Sequence, residues 1–136
     1  MSMIPQRVAL YAMGYGLLIW FEATLIIRWM GDLIFVPESV PWTVGLYAVT
    51  PVLVYAVGWS FFWLFQTPRG ERAASAILIC ATGLVANATV IGWIDFVLPD
   101  LSTAQDRLYS SWIVWAYGIG LLSGLWPRHL VRVPAA

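Results

Sequence analysis

Trp42-Thr43-Val44-Gly45-Leu46-Tyr47-Ala48-Val49-Thr50-Pro51-Val52-Leu53-Val54-Tyr55-Ala56-Val57-Gly58-Trp59-Ser60-Phe61-Phe62-Trp63-Leu64-Phe65 is an apolar run without a single charge. A helix of that length rises about 36 Å, enough to cross the roughly 30 Å of hydrocarbon in a bilayer. A spanning strand needs only about ten residues and alternates polar with apolar; no such alternation occurs here. The run is therefore read as a transmembrane helix, and the chain on either side is read against it.

Three further segments have the same character: residues 8–27, interrupted only by Glu22, residues 73–94, and residues 108–126. The predicted architecture is all-α, one domain over residues 1–136, with four antiparallel transmembrane helices. Composition agrees. The chain has 136 residues, 61% hydrophobic and 10% charged, with a mean hydropathy of +0.80. A soluble domain this small has too much surface for its volume to be so apolar. A soluble enzyme, a nucleic-acid-binding module and a disulfide-stapled secreted domain are thereby excluded. Seven basic residues, all Arg, balance seven acidic ones, so no net field attracts nucleic acid. The lone Cys80 has no intrachain partner for a disulfide and is read as a packing residue.

The loops set the predicted orientation. Arg7, Arg69 and Arg72, and Arg128 and Arg132 fall on one side of such a bundle. Arg28 and Arg107 lie on the other, among Asp32, Glu38, Asp95, Asp100 and Asp106. Basic flanks stay cytoplasmic, which predicts cytoplasmic N and C termini and a multi-pass protein of the bacterial inner membrane. Arg7 before an apolar stretch resembles a signal peptide, but no small-x-small cleavage site follows; the first span is expected to be retained.

Local signals mark the helix ends. Thr67-Pro68-Arg69-Gly70 is a tight-turn sequence. Ser102-Thr103-Ala104-Gln105 has the capping-box spacing, so helix four is expected to begin before the membrane. Ser39 ahead of Val40-Pro41 is suited to open helix two. Leu33-Ile34-Phe35-Val36 is too short to span and is expected at the outer interface. Trp29, Trp42, Trp93 and Trp126 fall near predicted boundaries, as an interfacial aromatic belt requires.

Glu22 is the most informative side chain. An ionisable group in a span costs several kcal/mol unless paired, protonated or hydrated, and so marks a candidate site; a plainer reading lets it reach the outer headgroups or Arg28. Counting from the boundaries puts Asn87 at a similar depth, with Tyr47 and Thr50 on span two and Trp115 or Tyr117 on span four. Tyr15 lies on the helical face of Glu22. Pro51 removes the helical donor for the Tyr47 carbonyl and exposes an acceptor in that layer. Glu22, Tyr15, Tyr47, Thr50, Asn87 and Trp115 are thus the candidate ligand-binding residues, although for Asn87 alone an interhelical hydrogen bond suffices. Gly120 and Gly124 form a small-xxx-small pair for close helix packing; its partner, internal or from another chain, is open. No cofactor is indicated, and no metal or catalytic set is assigned. The acidic residues Asp32, Asp95, Asp100 and Asp106 read as a solvated face.

Arg28-Trp29-Met30-Gly31 followed by Pro37, Ala74-Ser75-Ala76 through Gly83, Pro99, and Ser111-Trp112-Ile113-Val114-Trp115-Ala116-Tyr117 together resemble a bacterial family of small four-helix membrane proteins, described only as a domain of unknown function. The resemblance implies a four-helix inner-membrane protein and carries no activity, cofactor or catalytic residue. The expected function is a non-enzymatic accessory or interaction subunit of a larger membrane complex, of the kind found in electron-transfer or photosynthetic assemblies. The alternative is a binder or transporter of a lipid, quinone or cation at the Glu22 layer; an enzyme acting on a lipid through Glu22 ranks third. Expected partners are membrane lipids and other membrane subunits or a second copy, and not nucleic acid.

Overall fold

A computed structural model describes residues 5–124, all of whose regular structure is helical. Helix α1 spans Gln6–Ile34, α2 Val40–Leu64, α3 Arg72–Gly92, the short α4 Ile94–Val97, and α5 Thr103–Ser123. Three stretches, Gln6–Ile34, Val40–Leu64 and Arg69–Gly92, are long and apolar enough to cross a membrane.

The helix ends follow the local chemistry. Ser39 caps α2 by accepting the Trp42 N–H, with proline in the first turn. At α5 the capping box is complete: Ser102 Oγ accepts from Gln105 N, while Gln105 Oε1 accepts from Ser102 N at 2.8 Å. The α2–α3 turn contains the one left-handed non-glycine residue described, Gln66, followed by Pro68 and a 3₁₀ turn at Arg69–Glu71. Arg72 secures this turn. Its Nε donates to the Thr67 carbonyl, and its guanidinium lies 5.2 Å from the Trp59 ring centroid and 5.4 Å from that of Phe62.

Two apolar clusters hold the helices together. One joins Ile27, Phe35, Val90, Leu98, Tyr109 and Ile113; the other joins Ala12, Phe61, Phe62 and Ala76. Helix α1 packs chiefly on α3, α3 also packs on α5, and α5 packs on α2, so the sequence neighbours α1 and α2 share little contact. Those two meet where Tyr11 stacks on Phe65 at 5.2 Å and Tyr15 packs on Phe61 at the same distance.

Small residues set the spacing. A methyl group on Gly16 would lie 2.5 Å from the Ile79 carbonyl oxygen, so α1 meets the backbone of α3 there. Likewise, a Cβ on Gly120 would lie 2.6 Å from Cys80 Sγ, and one on Gly124 2.6 Å from Ala76 Cβ. The partner of the Gly120/Gly124 pair is thus internal: it is α3.

Two boundaries differ from the sequence reading. Helix α1 continues past residue 27 to Ile34, because Arg28 turns its guanidinium to the Val97 and Phe96 carbonyls and does not end the helix. Phe35, expected at the interface, is fully buried and sits edge-on to Tyr109 and Trp112, each 5.7 Å away. Each such aromatic contact contributes about 1 kcal/mol. Spans two and three match α2 and α3 within two residues, and α5 starts at Thr103, five residues before the predicted span. Trp126, Pro127, Arg128, His129 and Arg132 lie outside the described residues.

Candidate functional site

The polar side chains of the predicted layer separate into distinct groups. The most enclosed is centred on Asn87, buried on α3. Tyr109 donates to Asn87 Oδ1 at 2.9 Å, and Asn87 Nδ2 donates to the Tyr117 hydroxyl at 2.9 Å. Tyr109 and Tyr117 are eight residues apart on α5, about two helical turns, so they grip the amide from above and below. Tyr117 reaches in because residue 83 is glycine: a Cβ there would lie 2.5 Å from its hydroxyl oxygen. An unpartnered amide in hydrocarbon costs several kcal/mol; here both ends of the amide are bonded.

A second group lies along the α2–α5 seam. Thr50 is buried; its Oγ1 donates to the Leu46 carbonyl and accepts the Trp112 indole N–H at 2.7 Å. Tyr47 and Ser111 share a hydroxyl–hydroxyl bond of 2.7 Å. The Trp115 indole donates to the Tyr47 carbonyl at 3.2 Å. That carbonyl is the one Pro51 deprives of its helical donor. Proline opens an acceptor on α2 and a tryptophan from α5 fills it. Tyr15 belongs to neither group: its hydroxyl meets Ser60 Oγ at 2.7 Å and the Val57 carbonyl at 3.3 Å, tying α1 to α2.

Glu22 stands apart. Its side chain is exposed on an α1 face where Leu18, Phe21, Leu25 and Ile26 are also exposed. Equal depth along the helices does not bring it to Asn87, because it lies on another face of α1. The layer expected to include Glu22, Tyr15, Tyr47, Thr50, Asn87 and Trp115 is thus divided among two internal seams, one α1–α2 tie and one outward carboxylate.

Sequence reasoning missed Tyr109, which resembles a boundary aromatic near the start of α5. The clue was its position eight residues before Tyr117, the spacing that puts both hydroxyls on one face. It also missed the tie between the α1–α2 loop and the helices. Trp42 Nε1 donates to the Ile34 carbonyl and Gln105 Nε2 to the Phe35 carbonyl, both at 2.9 Å. Thr43 Oγ1 reaches the Val36 carbonyl at 3.4 Å. Three consecutive carbonyls, those of the last residue of α1 and the two after it, each accept from a side chain.

A family profile matches residues 34–129. The chain belongs to DUF5367, a family of unknown function. The segment shared with DUF5367 contains both internal seams, from Tyr47 to Tyr117, whereas Glu22 and Tyr15 precede it. No curated protein and no solved structure matches the chain. Among the described residues, no group of three or more His, Cys, Asp or Glu is placed to hold a metal ion.

Proposed function

We propose that this chain is a non-enzymatic interaction subunit of a larger assembly in the bacterial inner membrane. In this reading α1, α2, α3 and α5 all cross the bilayer, antiparallel, with both termini cytoplasmic. The length of α5, about 31 Å at 1.5 Å per residue, supports a fourth crossing. The arginine distribution supports the orientation.

The observation that carries the proposal is Glu22, an exposed carboxylate among exposed Leu18, Phe21, Leu25 and Ile26. Left against acyl chains, such a group costs several kcal/mol. A neighbouring transmembrane helix with a cation or hydrogen-bond donor at that depth removes the cost and covers the apolar side chains. The inner polar groups favour the same reading over a ligand layer, because they direct their hydrogen bonds at one another.

The test is gentle extraction of the tagged chain from its native membrane, followed by mass spectrometry of whatever accompanies it in stoichiometric amount. The expected result is a membrane-protein partner whose yield falls about tenfold with Glu22→Leu, the loss of roughly one charge-assisted contact, while the chain remains in the membrane. A lone monomer or homodimer carrying a small molecule overturns the proposal.

A further inference from the structure

At the end of the bundle where α1 stops, a cleft of about 160 Å³ opens between that helix end and the loop after α4. It is smaller than a drug-sized pocket, which starts near roughly 300 Å³. Its charged walls are Arg28, Asp32 and Asp100, with Gly31, Leu98 and Leu101 between them. The loop lies close on the helix: a Cβ on Gly31 would lie 2.7 Å from Leu101 Cδ2.

Arg28 is fixed in this wall. Its Nη1 donates to the Phe96 and Val97 carbonyls, so both its protein partners are carbonyls and neither is Asp32 or Asp100. A guanidinium has five N–H donors; those on Nε and Nη2 are not engaged by any described residue. Arg28 precedes Asp32 by four residues, the less favourable order for a helical ion pair. The cleft thus offers an anion site on Arg28 beside two carboxylates that attract an ammonium. Its aromatic neighbours are those of a headgroup region: Trp29, which lines the cleft, is 81% exposed, and Phe96 is 80% exposed.

We infer that this cleft holds the headgroup of a phosphoethanolamine lipid, its phosphate on Arg28 and its primary ammonium between Asp32 and Asp100. A phosphate alone faces two like charges, and an ammonium alone leaves the guanidinium without an anion. A headgroup carrying both charges satisfies all three side chains. A primary ammonium also has N–H donors for the carboxylates, which a choline lacks. The inference rests on the membrane placement proposed above for this rim.

The test reconstitutes the full chain into vesicles of equal parts phosphatidylethanolamine, phosphatidylglycerol and phosphatidylcholine. The vesicles are floated on a density gradient, then the protein is released into mild detergent and its retained lipid weighed by native mass spectrometry. The wild-type chain is expected to float and keep phosphatidylethanolamine over the other two lipids by about tenfold. Asp100→Asn should still float and lose that preference. Arg28→Gln should lose it too, but this variant also removes the bonds to α4, so Asp100→Asn is the cleaner comparison. A chain that floats without any lipid preference, or a preference unchanged in Asp100→Asn, overturns the lipid site and leaves the membrane placement standing. A chain that does not float overturns both. Displacement of the lipid by an equal concentration of soluble phosphoethanolamine overturns the lipid as ligand and points to a free phosphoamine.

Discussion

The α3–α5 seam and the outward face of α1 each carry a polar side chain in an apolar helix, and they treat it in opposite ways. Asn87 has both ends of its amide bonded by Tyr109 and Tyr117, and Gly83 leaves room for the second tyrosine. Glu22 is exposed among the exposed apolar side chains of Leu18, Phe21, Leu25 and Ile26. The first arrangement completes itself within the chain. The second has no bonding partner among the described residues. In a bundle whose helices gain little from burying hydrocarbon against hydrocarbon, close packing and hydrogen bonds hold the chain together, and under the proposal above an unmatched carboxylate is where a partner would dock.

The contrast is tested most severely where α1 joins the interior. Gly16→Val would force a side chain against the Ile79 backbone, which cannot move aside as a flexible side chain can. We expect about 3 kcal/mol of destabilisation, read by unfolding in mixed micelles. A loss below about 0.5 kcal/mol would mean that α1 is not seated on α3 at this point.

A smaller loss, about 1–2 kcal/mol, is expected for Asn87→Leu, which leaves two tyrosine hydroxyls without a partner. Adding Tyr109→Phe and Tyr117→Phe to that variant should recover part of the loss, because no orphaned polar group remains. Strict additivity across this cycle would show that the three side chains do not act together.

The α2–α5 seam sharpens the comparison through a pair of changes. Trp115→Phe should cost about 1 kcal/mol by orphaning the Tyr47 carbonyl. In a Pro51→Ala background the helix supplies its own donor to that carbonyl, and the same change should then cost less. An equal cost in both backgrounds would separate Trp115 from the proline. The smallest effect belongs to Glu22→Leu in the isolated chain, where unfolding should show no loss of stability, since no described contact depends on it. A clear loss there would mean that Glu22 serves the fold of its own chain.

Local chemistry was readable from the sequence, whereas helix rotation was not. The capping box at Ser102–Gln105 and the proline-released carbonyl depend on neighbours in the chain, and both were predictable. So was the use of Gly120 and Gly124 for close packing, though not the identity of α3 as their partner. Glu22 and Asn87 were placed at one depth by counting residues, but depth says nothing about azimuth. In α1 apolar side chains surround the axis, so no polar stripe indicates which face turns inward. Phe35 illustrates the same ambiguity in a loop: an apolar residue between spans suits a lipid interface and a protein core equally well by hydropathy. Its burial is decided by Tyr109 and Trp112, more than seventy positions later. Tyr109, in turn, lies near the start of α5, where hydropathy alone does not reveal its bond to Asn87 on α3.

The single amide of Gln105 closes the cap of α5 and also holds the Phe35 carbonyl, while α1 and α2 pack mainly on α3 and α5 rather than on each other. This imposes an order on synthesis. When only the first two helices have been made, little contact joins them, and the loop between them still lacks the donor that Gln105 will bring. Only when the last long helix emerges does that loop gain its final bond and α2 its main neighbour. Helix α1 can seat on α3 before that, but the bundle is complete only once α5 is in place.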